Sequence, residues 1–410
     1  MNHGYLSQYF SGVVVKHLSS VEADPSKSNQ HEFNGSLDLR NLLGEADRKD
    51  IPTRFLWLDE EQSGTESEDG LLTWYDARRA HPSRTEYRLY YKSNGVTEMM
   101  RGGDAFFLAL RSDGTGLIVV TPSNSTIYNQ LLWLFGIEKD PEFAFQFAPV
   151  DGNRDAQLDF ASRMILDALG VDTDEPDLDE IDTLIEAFGL EMPRPRDLSA
   201  LARNSIGVEV ARDDPDQALL LWMERELQLF RRIERKLVAK RIAQGFGERG
   251  AEDVDDFISF SLSVQNRRKA RAGLALESHI EALLLANRIR YVRGAVTENG
   301  NRPDFLFPGI NEYRDKFYPH DALFMLGAKS TLKERWRQVL SEAVRIEKKH
   351  LLTLEPGISE AQTDEMRVKN LQLVLPREIH RTYKPLQQSW LMTLSDFLGL
   401  MREAGYSTDT

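Results

Sequence analysis

The chain contains no cysteine. Disulfide frameworks, thiolate zinc sites and thiol nucleophiles are therefore excluded. No apolar run approaches the roughly 20 residues that a membrane helix needs, and the first residues do not read as a secretory leader. The expected location is the cytoplasm, with no membrane partner. No glycine-rich loop of the phosphate-cradling kind occurs, so no nucleotide cofactor is expected. His279, His320, His350 and His380 lack the spacing of a zinc site. Positive charge is also in deficit: 51 Lys and Arg stand against 65 Asp and Glu, for a net charge of −14 over 410 residues. Affinity for nucleic acid comes largely from cations meeting phosphates, so a uniformly acidic surface would exclude that partner. The charge is not uniform. Acids gather at residues 59–69, 172–182 and 248–256, and cations at 231–241 and 267–271. Separated patches of both signs are compatible with DNA binding. The 231–241 run taken alone reads as a solvated helix face.

The length allows two or three domains, and a hydrophobic fraction of 41% is ordinary for a soluble globular chain. Residues 1–150 read as short strands at 12–18, 55–58, 86–91, 105–110 and 116–121, separated by polar turns, a pattern that suggests a small barrel. Residues 28–33 (SNQHEF) form a polar loop after a strand. Residues 75–88 (YDARRAHPSRTEYR) set Arg84, Glu86 and Arg88 at alternate positions, hence on one face of a strand. Such a ladder is by itself a solvated face with internal ion pairs. Residues 172–182, with Pro176 among carboxylates, read as a hinge. Residues 214–243 carry a strong helical pattern that 257–264 continues. Residues 271–285 are amphipathic, with Leu274, Ala275, Ile280, Leu283 and Leu284 apolar and Glu277 among them.

Residues 302–342 carry the chemistry. The first part is RPDFLFPG (302–309). Pro303 suits the start of a strand because it cannot donate to a ladder. Phe305, Leu306 and Phe307 read as a buried strand closed by Pro308 and Gly309. A second apolar run, 323–328, ends in Lys329, and Ser330 or Thr331 can cap a following helix. Asp304 and Lys329 thus arrive at the ends of adjacent strands. A hard carboxylate oxygen binds Mg²⁺, which offsets phosphate charge and activates water, while a lysine steadies charge or positions that water. This is the PD…xxK pattern of metal-assisted phosphodiester hydrolysis. A PD with a distant lysine recurs by chance in many chains, so the pair alone is not specific. The pattern's usual second acid, two residues before the lysine, is replaced here by Gly327, which coordinates nothing. On the expected helix Arg335, Gln338 and Glu342 share one face, while Trp336, Val339, Leu340 and Ala343 form the apolar one. Glu342 is the substitute ligand, so Asp304 and Glu342 are the expected metal pair.

The strings NRRKARAGLALESHIEALL (266–284), RPDFLFPG, Tyr313 and AKSTLKERWRQVLSEA (328–343) closely resemble the catalytic domain of EcoRII-type restriction endonucleases. That family also lacks the acid before the lysine and uses a helical glutamate. The resemblance implies that Glu277 begins the nuclease core near the scissile phosphate, that Tyr313 neighbours the active site, and that Lys333, Glu334 and Arg335 read CC·GG edges in the major groove. The first half is similar, less closely, to the family's N-terminal effector domain, a B3-like barrel with two DNA-gripping arms. His31 would lie on one arm and Arg84, Glu86 and Arg88 on the other. Arginine on guanine and glutamate on cytosine is sensible chemistry for a G·C-rich site. The resemblance thus implies a multidomain chain: an effector domain over 1–170, an acidic linker over 171–190, and an α/β restriction-endonuclease-like (PD-(D/E)XK) domain over 191–410. It implies a Mg²⁺-dependent type II endonuclease cutting double-stranded DNA at a short CC/GG palindrome (CCWGG-like), with the effector domain autoinhibitory. A homodimer matches a two-fold site. Two alternatives are a modification-dependent nuclease and a DNA-binding regulator that no longer cleaves; the intact Asp304, Lys329 and Glu342 speak against the second.

Overall fold

Valine-rich and aromatic runs in the first part of the chain fold into one eight-stranded mixed sheet. The computed structural model describes residues 4–23, 31–59, 66–151, 157–173, 178–189, 191–207, 209–246, 254–332 and 335–407. The strands of the first sheet are β1 (Phe10–His17), β2 (Glu32–Asn34), β3 (Arg48–Trp57), β4 (Glu66–Asp76), β5 (Tyr87–Tyr91), β6 (Ala105–Arg111), β7 (Gly116–Thr121) and β8 (Gln146–Pro149). Their order is β2-β5-β4-β3-β7-β6-β1-β8. β3 and β7 run parallel, and the other neighbours antiparallel.

Across β1, β6 and β7 both faces of this sheet are buried. Val13 and Val15 of β1, Phe107 and Ala109 of β6, and Leu117 and Val119 of β7 join one core with Tyr128, Leu131, Ile165 and Leu166 from the helices Thr126–Leu134 and Phe160–Ala168. Val14, Phe106, Leu108, Ile118 and Val120 point the other way. They pack with Trp74, Leu89 and Tyr91 and with Leu39, Leu42 and Leu43 of the helix Leu37–Leu43. Alternate side chains of a strand face opposite sides. A strand covered on both sides therefore reads as a continuous apolar run, which is why β1, β6 and β7 were recognisable. β4 was not: it opens on Glu66, Ser67, Glu68 and Asp69, all exposed, and only its later residues alternate inward.

The chain divides into two compact units, Met1–Asp174 with Pro356–Gln362, and Glu175–Glu355 with Thr363–Thr410. The second unit holds a five-stranded sheet of β9 (Val292–Arg293), β10 (Phe305–Phe307), β11 (Phe324–Lys329), β12 (Lys349–Thr353) and β13 (Leu371–Val374), in the order β13-β12-β11-β10-β9. β9, β10 and β11 are antiparallel, and β11, β12 and β13 are parallel. The two helical stretches expected at 257–264 and 271–285 are one 33-residue helix, Val254–Ala286, beside the 30-residue helix Pro215–Gln244.

The acidic stretch expected as a hinge is in its second half a helix, Leu178–Ile185, within the second unit. Ile181 and Ile185 join a core with Leu198, Ala202, Leu229, Phe230 and Ile233. Asp182 pairs with Arg232 and, at 2.7 Å, with Lys236; those two cations hold its carboxyl well below the ordinary range. Residues 174–177, Pro176 included, lie outside the described residues. Among the described residues no helix is long and apolar enough to cross a membrane.

Candidate active site

Register brings Asp304 and Lys329 together. β10 and β11 pair Phe305 with Leu326, so the residue before Phe305 lies beside the end of β11. Asp304 Oδ2 accepts from the Ala328 backbone N–H at 2.7 Å and from Lys329 Nζ at 3.0 Å. Both side chains remain partly open to solvent, 15% for Asp304 and 20% for Lys329. The carboxylate is thus fixed by one backbone dipole and one cation, at a place partly open to solvent.

Gly327 lies two residues before the lysine on the same strand face. A Cβ there would meet Val339 Cγ1 and Cγ2 at 3.3 Å and Leu351 Cδ1 at 3.4 Å. The space that the usual acid would take is filled by Val339. The helix carrying Val339 is short, Trp336–Val339, with Trp336 and Val339 buried. Glu342 is therefore not on a helix face shared with Arg335 and Gln338, as the i, i+3, i+7 spacing suggested. It lies in the turns that follow, with its N–H bonded to the Val339 carbonyl at 3.1 Å. Neither Ser330 nor Thr331 caps this helix, since it begins at Trp336; Thr331 accepts from the Arg335 guanidinium instead.

Glu342 Oε2 is buried and has no hydrogen-bond partner among the described residues. Burial pushes its carboxyl up to about 7; Asp304 adds to the rise, while Lys329 and Lys349 oppose it. An orphaned buried carboxylate oxygen needs an explanation, and a bound ion is one. Among the described residues no group of three or more His, Cys, Asp or Glu could hold a metal alone. Mg²⁺ does not need one, because it uses one or two carboxylates and fills its shell with water and phosphate oxygens. Asp304 and Glu342 fit that donor set. The raised value has a signed consequence. The folded state binds a proton at Glu342 that the unfolded chain has lost, between the ordinary carboxyl range and about 7. Metal-free stability therefore falls as pH rises through that window. Thermal melts without metal should show wild type losing stability relative to Glu342→Gln as pH rises to about 7. Parallel curves would contradict the assignment.

Two further expected residues stand apart from this pair. Glu277, on the helix Val254–Ala286, is held by Arg293 at 2.7 Å, and the other arm of Arg293 holds Glu281 at 2.7 Å. Arg293 is in β9, which pairs with β10, so Glu277 buttresses the strand beside Asp304. One helical turn would not have revealed Arg293, which lies 16 residues on. Two residues after Glu277, His279 is fully buried 3.0 Å from Glu226, and burial pushes its pKa down. Tyr313 is also buried. Its hydroxyl donates to Glu298 at 2.5 Å and accepts from the Arg345 N–H at 3.4 Å. Burial pushes the phenol up, so it stays neutral, and its contacts anchor the segment just after Glu342.

Arg335 is exposed, its guanidinium resting on the Thr331 carbonyl at 3.1 Å and hydroxyl at 2.8 Å. Lys333 and Glu334 lie outside the described residues. In the first unit, β5 begins at Tyr87, so Arg84 and Glu86 precede the strand and do not continue a ladder on it. Glu86 still meets Arg88, and it also pairs with Arg78 at 2.5 Å; the Arg88 hydrogen bond, then the Arg78 charge, holds its carboxyl below the ordinary range. Arg78 was missed, although the hairpin explains it: Ala77 N–H bonds the Glu86 carbonyl at 2.8 Å, so the residues flanking that loop face one another. β2 pairs with β5, matching Asn34 to Arg88, and Arg88 donates to Asn34. His31, just before β2, packs edge-on against Tyr91 with ring centres 5.9 Å apart. The His31 loop and the Arg88 strand therefore meet at one end of the sheet, while Arg84 is exposed in the loop between β4 and β5.

Residues 230–398 match the model of the family described as EcoRII C terminal. The EcoRII C-terminal match contains Glu277, Asp304, Tyr313, Lys329, Arg335 and Glu342; His31, Arg84, Glu86 and Arg88 lie outside it. Among curated proteins the chain is 42% identical over 186 residues to type II restriction enzyme EcoRII of Escherichia coli, covering 45% of each chain. It is 28% identical over 148 residues to type II restriction enzyme SsoII of Shigella sonnei, covering 34% of this chain and 47% of that one. The chain thus spans a little under half the length of the curated relatives it matches. Among solved structures it is similar to metal-depleted Ecl18kI in complex with uncleaved DNA (22% identity, TM-score 0.45, 55% of this chain and 84% of that one). It is also similar to a PspGI–substrate DNA complex (16% identity, TM-score 0.42, 52% and 93%).

Proposed function

We propose that this protein is a Mg²⁺-dependent type II endonuclease that cuts double-stranded DNA at a short CC/GG palindrome. The observation that carries the reading is the pairing of a fixed Asp304, bound to Lys329 at 3.0 Å, with a buried, unpartnered Glu342 carboxylate oxygen. That donor set lies within a match to a family whose relatives are named type II restriction enzymes. A Mg²⁺ ion there would offset charge on the phosphate and lower the pKa of an attacking water. Asp304 and Glu342 would hold the ion. Lys329 keeps Asp304 aimed and presents an ammonium to the phosphate or to the water. Glu277 and Arg293 brace the strand beside Asp304. Arg335, with Lys333 and Glu334, reads the base edges, a guanidinium suiting the paired acceptors of guanine. A two-fold palindrome is matched by a homodimer. Incubating the purified chain with plasmid and Mg²⁺ tests the reading: discrete fragments are expected, and intact plasmid under all divalent metals would contradict it.

The first unit acts in this reading as a B3-like effector domain that binds a second copy of the site and restrains cleavage until it does. The meeting of His31, Asn34 and Arg88 at one sheet end, with Arg78 and Arg84 on the neighbouring loop, supports a DNA-gripping role. Arg88→Ala in the full chain is expected to remove stimulation of one-site plasmid cleavage by added cognate duplex while leaving unstimulated cleavage in place. Unchanged stimulation would take Arg88 out of the effector site.

A further inference from the structure

The turn that carries Glu342 is held from within by a lysine. Ala343 adopts a left-handed backbone, φ 47°, which a side chain other than glycine takes at some cost. The Ile346 N–H bonds the Ala343 carbonyl at 2.9 Å. Below this turn Lys349, the first residue of β12, is buried at 7% exposure. Its Nζ donates to the Ile346 carbonyl at 2.5 Å and reaches the Ala343 carbonyl at 3.5 Å. From outside, Asn301 Nδ2 donates to the Ser341 carbonyl at 2.8 Å. Glu342 therefore sits between two residues whose carbonyls are tied down, and its own carboxylate feels the Lys349 charge.

A buried ammonium is expensive to desolvate. A methionine of similar length would pack there without that cost; among the described residues Lys349 donates to these two carbonyls and feels the charges of Glu342 and Glu298. We propose that Lys349 is a positioning residue for the metal site: its buried ammonium sets the 343–346 turn so that the Glu342 carboxylate is already placed beside Asp304 when the ion arrives. The inference rests on reading Glu342 as a metal ligand. Charge and position make opposite demands, which separates them. Removing a cation near a metal site should by charge alone tighten metal binding, whereas loss of a preset ligand should weaken it.

The test uses the full chain and Mn²⁺ alone, with free ion read from its electron paramagnetic resonance signal. Lys349→Met is expected to weaken Mn²⁺ binding about 10-fold or more, in line with other residues that orient metal ligands, and to melt as cooperatively as wild type. In a Glu342→Gln background the same change should cause no further loss, because the ligand it positions is gone. Should Lys349→Met fail to fold, Lys349→Gln, which keeps an N–H donor without the charge, takes its place and is expected to bind Mn²⁺ more weakly than wild type. Wild-type or tighter Mn²⁺ binding in the folded variant overturns the inference, as does an equal loss in the Glu342→Gln background. Undiminished Mn²⁺ binding by Glu342→Gln itself would remove the ligand reading, and this inference with it. Weakened binding by Glu342→Gln beside an unchanged Lys349→Met would remove this inference alone.

Discussion

Asp304→Asn and Lys329→Ala should each slow DNA cleavage by about 100- to 1,000-fold or more while leaving DNA binding close to that of wild type. The amide of Asn keeps the size of the side chain but loses the charge that a hard divalent cation requires. Its Oδ atom can still accept from Ala328 N–H, as Asp304 Oδ2 does at 2.7 Å, so the strand end should keep its shape. Lys329→Ala removes the second donor, 3.0 Å from that oxygen, and the cation proposed to face the phosphate. Neither residue is deep in the core, so both variants should fold. Single-turnover cleavage and gel-shift titration on one duplex separate the two effects. Cutting near the wild-type rate by either variant would contradict the site, and equal losses in binding and cleavage would assign the residue to DNA affinity.

Gly327→Asp should cost several kcal/mol of stability and restore no activity to Glu342→Gln. The substitution places an acid where the common form of the pattern has one. In this fold that Cβ would lie 3.3 Å from both Val339 methyl groups and 3.4 Å from Leu351, so the carboxylate would enter a filled apolar space. Adding Val339→Ala should recover part of the stability by opening room, at the usual price of a lost core contact. Urea unfolding of the three variants reads the effect. If Gly327→Asp were as stable as wild type, the space would be open and the displacement of the acid to Glu342 would have no steric cause.

The sequence carried the elements whose physics is local. Phe305, Leu306 and Phe307 are enclosed by Pro303, Pro308 and Gly309, and the strand falls on those three residues. Lys329 closes an apolar run and ends β11. For Glu342 the helical argument does not hold. Helical spacing placed it with Arg335, yet the helix stops at Val339. Tertiary contacts instead hold the following turn, through Asn301, Tyr313 and Lys349. Such contacts, from residues as far as 40 positions away, leave no periodic trace. The Arg84, Glu86 and Arg88 alternation similarly implied a strand longer than the one present. Glu86 is instead drawn between Arg78 and Arg88 across a hairpin loop. The acidic start of β4 hid that strand, because exposed residues carry no alternation to read.

Crystals of the protein with cognate duplex and Mn²⁺ give the most direct test of the two-carboxylate site. The account predicts one anomalous peak bonded to a carboxylate oxygen of Asp304 and to Glu342 Oε2, with water or phosphate oxygens completing the shell. An ion shared by Asp304 and Glu277, with Glu342 unbound, would contradict it.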